Sequence, residues 1–166
     1  NYMIKKKILH IDMDGVTCEF MTEIINKFPS ICETDDKTRE SIIDYFLEVN
    51  PRYFGSLEPI PGAIDAIHYL SDYFEIYFLT TPARNCAHSY MDKKLWLDEH
   101  IFNHKRISDK KLIMTHNKGL LMGDYLIDDR IANGVAEFQG KHLHFGEDKA
   151  FPTWKEVVDF LIQDNP

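Results

Sequence analysis

Four groups of residues that could bind a phosphate or a divalent cation each follow a short apolar segment of the sequence. They are Asp12 with Asp14, Thr80 with Thr81, Lys118, and Asp128 with Asp129. Carboxylate oxygens are the hard ligands that Mg²⁺ prefers, and a carboxylate can attack phosphorus as a nucleophile. Threonine and lysine side chains can donate hydrogen bonds to phosphoryl oxygens as their charge develops. These residue types therefore indicate phosphoryl chemistry, provided that the fold brings the four groups together.

The first group, Asp12-Met13-Asp14-Gly15, follows the apolar run at residues 8–11. Placing two carboxylates at the end of a buried strand is costly unless a cation or a reaction requires them. An alternative is an Asx turn that caps the following helix. The three groups downstream favour the chemical interpretation.

Apolar segments that alternate with helical patterns predict a parallel α/β sheet. The predicted strands cover residues 5–11, 74–80, 112–115, 125–127 and 141–145. The predicted helices cover 18–27, about 42–47, a segment opened by Pro61-Gly62, 84–100 and 151–163, the last with a Thr153…Glu156 capping box. The helix at 84–100 is identified by its apolar positions Ala87, Tyr90, Met91, Leu95 and Trp96. Because the strands end in polar residues, we predict a Rossmann-like, doubly wound parallel sheet with its site at the carboxyl ends of the strands.

Two of the predicted helices lie between the first strand and the next, and they indicate a small helical cap inserted after the first strand. We expect residues 17–59 to form this cap, and residues 1–16 and 60–166 to form the core domain. An ordinary crossover connection is the alternative. At 166 residues the chain is long enough for one main domain with its own core.

The composition argues against several classes of partner. A net charge of −8 disfavours a broad contact with polymeric nucleic acid but not with a small phosphorylated ligand. No segment approaches the roughly 20 apolar residues of a membrane helix. The cysteines Cys18, Cys32 and Cys86 are widely spaced and form no CxxC pair, which fits reduced thiols. We therefore expect a cytoplasmic protein without membrane contact; its oligomeric state stays open, with a homodimer among the arrangements considered.

In this order, the four groups resemble the haloacid dehalogenase-like (HAD) phosphatases. The resemblance implies that Asp12 is the nucleophile that forms an aspartyl-phosphate, and that Asp14 is the general acid and base. It also implies that Thr80 and Lys118 bind the phosphate, with Lys118 orienting Asp12. The expected reaction is hydrolysis of a phosphomonoester.

The same resemblance implies Mg²⁺ as cofactor. Its ligands would be Asp12, the backbone carbonyl of Asp14, and Asp129, with Asp128 in support. Two or three carboxylates and one carbonyl suit the octahedral oxygen coordination of this ion, which usually also retains water.

Four segments are similar to the 5′(3′)-deoxyribonucleotidase family, which implies a deoxyribonucleoside monophosphate as substrate. They are DMDGVTCEF at 12–20, LEPIPGA at 57–63, FLTTP at 78–82 and LIDDR at 126–130. In that family aromatic residues between core and cap stack on the base, and Phe20 occupies one such position. Thr81 corresponds to a serine that also contacts phosphate. The cap segment departs from the family in being short, and the other stacking residues have only candidates, which are Tyr45, Phe46, Tyr53 and Phe54.

Two other functions use similar residues. The first is a phosphatase of the same superfamily that acts on a sugar phosphate or another small metabolite. The second is a phosphoacceptor receiver domain, in which the lysine follows the last strand of the site and no acid pair comes after it. Here Asp128-Asp129 follows Lys118, and this order disfavours the receiver domain.

Several further residues have both a structural and a functional interpretation. Lys110 is the alternative phosphate-binding lysine if the third strand lies earlier. His142 and His144 alternate on one strand and could ligate a metal, but without a third ligand nearby in sequence we expect surface or core histidines. Arg84 and Arg130 could form salt bridges or contact the substrate.

Overall fold

The computed structural model describes residues 4–165 and contains one parallel sheet of five strands. The strands are β1 (Lys7–Ile11), β2 (Phe74–Thr80), β3 (Leu112–Met114), β4 (Tyr125–Asp128) and β5 (Lys141–His144), in the order β3-β2-β1-β4-β5. In the central strand β1, Leu9 and Ile11 point to one face of the sheet and His10 to the other, and all three are buried, so both faces are covered there. The predicted doubly wound parallel α/β sheet is confirmed.

Five α-helices accompany the sheet in the described part of the chain. They are α1 (Met21–Lys27), α2 (Asp36–Val49), α3 (Ala63–Leu70), α4 (Ala87–His100) and α5 (Trp154–Asp164). Within residues 4–165, no helix combines the length and the apolar character needed to cross a membrane. The predicted capping box of α5 is present, with reciprocal bonds between Thr153 and Glu156.

Four predicted helix starts are wrong. Helix α1 begins at Met21 and not at residue 18, and the other three starts differ for local reasons. Helix α2 begins at Asp36, inside a stretch expected to be a turn, because the Asp35 carboxylate accepts a hydrogen bond from the Thr38 N–H at 2.7 Å and caps the helix. Helix α4 begins later than residue 84 because the Ser89 hydroxyl bonds to the backbone of Ala83 and holds a turn there. Helix α5 begins after Phe151, which forms a β-bridge to Phe145.

Helices α1 and α2 lie on a segment that leaves the sheet after β1 and returns before α3. Its two ends run side by side: the Glu19 N–H donates to the Glu58 carbonyl, and the Ile60 N–H donates to the Thr17 carbonyl, each at 2.9 Å. The Thr17 hydroxyl is buried and donates to the Asp12 carbonyl at 2.7 Å. The insertion is thereby anchored at the carboxyl end of β1, next to the first acidic group.

Candidate active site

The carboxyl ends of β1 and β4 bring Asp12, Lys118 and Asp128 together. The Asp12 N–H donates to the Ile127 carbonyl at 3.0 Å, which continues the β1–β4 pairing past the end of β1. The Lys118 ammonium lies 2.9 Å from Asp12 Oδ1 and 2.6 Å from Asp128 Oδ2. All three residues are buried. One lysine therefore fixes two carboxylates from two neighbouring strands.

Lys118 is the first residue of a short 3₁₀ helix, Lys118–Leu120, and its side chain reaches the carboxyl ends of the strands. The Asn117 side chain caps it by accepting from the Gly119 N–H, and the Lys118 N–H donates to the Asn133 carbonyl at 2.7 Å. Burial alone would lower the pKa of Lys118, but the charges of Asp12 and Asp128 raise it above its ordinary value. The Lys118 side chain is therefore protonated and positively charged at neutral pH.

Asp129 completes a group of three acids. One carboxylate oxygen from each of Asp12, Asp128 and Asp129 lies within 4.8 Å of the others. Burial first, and then the charges of the neighbouring acids, raise the pKa of Asp128 to about 6 and that of Asp129 to about 8. Asp128 and Asp129 therefore resist ionisation, and a divalent cation with hard oxygen ligands, which would stabilise their charged forms, fits this donor set.

Gly15 makes room for the Asp129 carboxylate. This glycine has a φ of +78°, and a Cβ atom built on it would lie 2.2 Å from Asp129 Oδ2. Only glycine therefore combines this backbone conformation with the close approach of the acid.

Asp14 is held by Lys93, a residue that the sequence analysis did not single out. The Lys93 ammonium lies 2.8 Å from Asp14 Oδ2 and 2.9 Å from Thr80 Oγ1, and its side chain is only 1% exposed. Asp14 itself stays partly accessible, with 24% of its side chain exposed. The second acid is thus oriented by a cation of its own, separate from Lys118.

Lys93 was missed because the apolar positions indicated the wrong face of α4. Tyr90, Met91 and Leu95 of that helix are substantially exposed. The buried positions of α4 are Ser89, Asp92, Lys93, Trp96 and Leu97. Asp92 forms a bidentate pair with Arg52 of the insertion, at 2.7 and 2.9 Å, so two charged residues occupy the inner face. The spacing of Ser89, Lys93 and Trp96 was the available signal, since such residues share one helix face.

The two threonines after β2 have different surroundings. Thr80 is fully buried, and its hydroxyl accepts from Lys93. The Thr81 hydroxyl instead donates to the Thr115 carbonyl at 2.8 Å. Thr80 therefore keeps its hydroxyl proton for another acceptor, whereas Thr81 would have to exchange a backbone bond in order to donate to a phosphate.

Phe20 belongs to an aromatic cluster beside the acids. Its ring stacks on Phe54, with centroids 5.2 Å apart and an interplanar angle of 19°, and its carbonyl accepts from the Tyr53 hydroxyl. The Lys93 ammonium lies 4.9 Å from the centroid of the Phe54 ring. Of the other candidates, Phe46 is buried against Tyr53 and Tyr45 is exposed. The structure thus joins Phe20, Phe54 and Lys93 in one contact chain that ends at Asp14.

The remaining candidates differ in their exposure and in their contacts with this site. Lys110 is exposed and lies before β3, and Arg84 and Arg130 are also exposed. His142 and His144 contact the backbone of the acidic loop after β4: their Nε2 atoms lie 2.9 Å from the Asp128 carbonyl and 3.0 Å from the Asp129 carbonyl. The histidines are therefore neighbours of the site through hydrogen bonds to its backbone.

Solved structures with the same fold define the class. A HAD-like hydrolase from Xanthomonas campestris aligns with a TM-score of 0.61 and 8% identity, covering 97% of this chain and 96% of that one. The HAD hydrolase YfnB from Bacillus subtilis, bound to magnesium, aligns with a TM-score of 0.60 and 11% identity, covering 95% and 99%. The sheet, with its acidic carboxyl edge, is a HAD-like fold.

Sequence comparison identifies the family within that class. The model for "5′ nucleotidase, deoxy (Pyrimidine), cytosolic type C protein" matches residues 6–163, and the chain belongs to this family. A Vibrio phage KVP40 protein classed as a 5′(3′)-deoxyribonucleotidase is 37% identical over 160 residues, covering 96% of this chain and 87% of that protein. The human cytosolic 5′(3′)-deoxyribonucleotidase is 28% identical over 141 residues, covering 72% and 69%. The protein is thus a phosphoric monoester hydrolase, a HAD phosphatase.

Proposed function

We propose that this protein dephosphorylates deoxyribonucleoside monophosphates through a magnesium-dependent aspartyl-phosphate mechanism. The observation that carries the proposal is the buried carboxylate of Asp12, held 2.9 Å from Lys118 and grouped with Asp128 and Asp129. The description of the family model, which names deoxy and pyrimidine, supports the substrate class.

In the first step, a carboxylate oxygen of Asp12 attacks phosphorus and the bond between phosphorus and the nucleoside oxygen breaks. Asp14 gives its proton to the departing oxygen, so a neutral alcohol leaves. Thr80, Thr81 and Lys118 donate to the phosphoryl oxygens. The contact between Asp14 and Lys93 supports this role, because it orients the acid while leaving part of it accessible.

In the second step, Asp14 takes a proton from water as the water oxygen attacks phosphorus. The bond between phosphorus and Asp12 breaks, which releases inorganic phosphate and restores the Asp12 carboxylate. Mg²⁺, held by Asp12, Asp129 and the Asp14 carbonyl with Asp128 in support, would neutralise the charge that the acids and the phosphate bring together.

We further propose that residues 17–59 form a cap that covers the core formed by 1–16 and 60–166, and that Phe20 contacts the base. The stack of Phe20 on Phe54 beside Lys93 supports this, since an aromatic face next to the acids can pack against a flat base. A cytoplasmic location is proposed as well, and the name of the human cytosolic relative supports it.

A phosphate-release panel with Mg²⁺ tests the reaction and its substrates. We expect dUMP and dTMP to be hydrolysed faster than the ribonucleotides and glucose 6-phosphate. The Asp12→Asn variant should fold and lose activity by about three orders of magnitude or more, since an amide cannot form the phosphoenzyme. A variant that keeps a tenth of the wild-type rate would exclude the mechanism, and a preference for glucose 6-phosphate would replace the substrate class with sugar phosphates.

The role of Phe20 is tested by truncation. Phe20→Ala should reduce kcat/KM for dUMP far more than for p-nitrophenyl phosphate, which has no base. Phe28→Ala is the matched control, because Phe28 lies at the other end of α1 and packs against Tyr45. Equal losses on both substrates would assign Phe20 to the core of the cap.

A further inference from the structure

Two histidines of β5 bind the main chain of the acidic loop rather than any of its carboxylates. His142 Nε2 lies 2.9 Å from the Asp128 carbonyl oxygen, and His144 Nε2 lies 3.0 Å from that of Asp129. A carbonyl oxygen can only accept, so each Nε2 carries the hydrogen. The two rings lie on one side of the strand, with centroids 5.1 Å apart.

These contacts lie where the regular pairing of the sheet ends. The last residue pair between β4 and β5 is Asp128 with His144, and the Phe145 N–H still donates to the Asp128 carbonyl at 3.0 Å. Beyond that point the backbone leaves the sheet. Within residues 4–165, His144 is the only hydrogen-bond donor found for the Asp129 carbonyl. A side chain therefore replaces the backbone donor that a longer strand would have provided.

We infer that His142 and His144 are positioning residues that hold two consecutive peptide groups so that the carboxylates of Asp128 and Asp129 face Asp12. The inference rests on the metal site of the proposed function. The Asp128 carbonyl belongs to the peptide group before Asp129 and the Asp129 carbonyl to the one after it. Fixing both restricts rotation about the backbone bonds of Asp129 and holds the end of β4 at Asp128, which sets the directions of the two side chains. His144 contributes more to this positioning than His142 does, because the Asp128 carbonyl still accepts from the Phe145 N–H when His142 is removed.

Loss of the hydrogen bond to the Asp129 carbonyl would displace the Asp129 carboxylate. The Asp129 carboxylate must pass close to Gly15, where a Cβ would lie 2.2 Å from it, and a small rotation of its backbone moves it away from Asp12. Groups that hold metal ligands in place typically change metal affinity by about 10–100-fold when they are removed. Removing a histidine donor should therefore lower the metal affinity measured in the absence of substrate.

The test is titration of the protein with Mn²⁺, monitored by electron paramagnetic resonance, in the absence of substrate. His144→Leu should weaken Mn²⁺ binding by about tenfold or more, and His142→Leu should weaken it less. His144→Gln restores a nitrogen donor at a similar reach and should bind close to the wild-type affinity. Lys141→Gln is the matched control, since Lys141 is on the same strand and pairs with Asp164, and it should leave binding unchanged.

Thermal unfolding of each variant separates positioning from packing. The inference holds if affinity follows the presence of the donor, Gln above Leu, while the melting temperatures of the two variants are similar. It is overturned if His144→Leu binds Mn²⁺ like the wild type, if Gln and Leu lose affinity equally, or if the wild type does not bind Mn²⁺. Absent phosphatase activity combined with the expected binding pattern would refute the proposed function and leave this inference standing.

Discussion

The Lys93 ammonium lies 2.8 Å from Asp14 Oδ2, and the lysine is almost completely buried while the acid is partly exposed. The same ammonium contacts Thr80 and the face of Phe54. Desolvating a lysine is costly unless its partner compensates. The buried face of α4, through Lys93, therefore fixes the position of the Asp14 carboxylate, although that carboxylate is partly exposed.

Lys93→Met should impair the acid–base function that we propose for Asp14. Loss of orientation at a reacting group can cost about 100-fold in rate, and we expect a fall of this size in kcat for dUMP. The formation of phosphoenzyme from p-nitrophenyl phosphate should change little, because nitrophenolate leaves without a proton. Pre-steady-state nitrophenolate release and steady-state dUMP hydrolysis provide the two measurements.

Lys94→Met is the control for this substitution. Lys94 is the next residue of α4, and it is half-exposed and pairs with Asp98 one turn along the helix. Such surface pairs contribute only about 0.3–0.5 kcal/mol. We expect normal kinetics for this variant, and a loss equal to that of Lys93→Met would show that the effect comes from the helix as a whole.

Asp14→Asn should separate the two chemical steps. With p-nitrophenyl phosphate we expect a burst of about one nitrophenolate per active site, followed by slow turnover, because water attack lacks its base. Intact-mass measurement during the slow phase should find a phosphoryl adduct on the peptide that contains Asp12. Absence of both burst and adduct, together with loss of Mg²⁺ binding, would make Asp14 a side-chain ligand of the metal.

Gly15→Ala should abolish metal binding for a steric reason. The new Cβ would lie 2.2 Å from Asp129 Oδ2, so the carboxylate has to move. Gly62→Ala is the control, since Gly62 has a similar φ of +81° but its Cβ would meet only Trp154, at 3.8 Å. Both variants should lose about 1–2 kcal/mol of stability to the left-handed backbone. Only Gly15→Ala should lose Mn²⁺ affinity by titration.

Stability should depend on pH through Asp129. Burial and the neighbouring acids raise the pKa of Asp129 to about 8, far above the value of about 3.9 in an unfolded chain. Between these values the folded protein binds a proton that the unfolded chain lacks, so the free energy of unfolding falls as pH rises. In excess EDTA, we expect the melting temperature to fall between about pH 6 and about pH 8.

Two comparisons check this assignment. Saturating Mg²⁺ should restore the melting temperature at the higher pH, because the ion binds the ionised acids and stabilises the folded state. The Asp129→Asn variant has no carboxyl group at this position, so its melting temperature should fall less over the same pH interval. An equal fall in both proteins would locate the titration elsewhere.

The sheet could be predicted because its strands are short apolar runs that end in polar residues. β2 was predicted at its observed bounds, and β4 extends only one residue further, to Asp128. The sequence also indicated every carboxylate of the acidic group and Lys118, since each lies at the end of a strand or in the residues just after it. The roles assigned to these residues stay predictions, although the structure brings them together.

The partners of these residues could not be predicted, because they depend on side-chain contacts between distant elements. The buried charge of Lys93 is favourable only next to Asp14, and that of Asp92 only next to Arg52. Apolar periodicity predicts a solvent-exposed position for such charged residues. The contacts of His142 and His144 likewise depend on where β4 ends, because both histidines bind carbonyl groups at that point.

Strand β1 precedes the other four strands of the sheet along the chain, and it is also the central strand. Ile11 pairs with Phe78 on one side and with Ile127 on the other, so both neighbours of β1 leave the ribosome long after it does. Until then its backbone is unpaired and open to association with other nascent chains, and pairing between such distant residues is slow. A translation product that stops before Lys118 would carry Asp12 without the ammonium group that contacts its carboxylate in the folded protein.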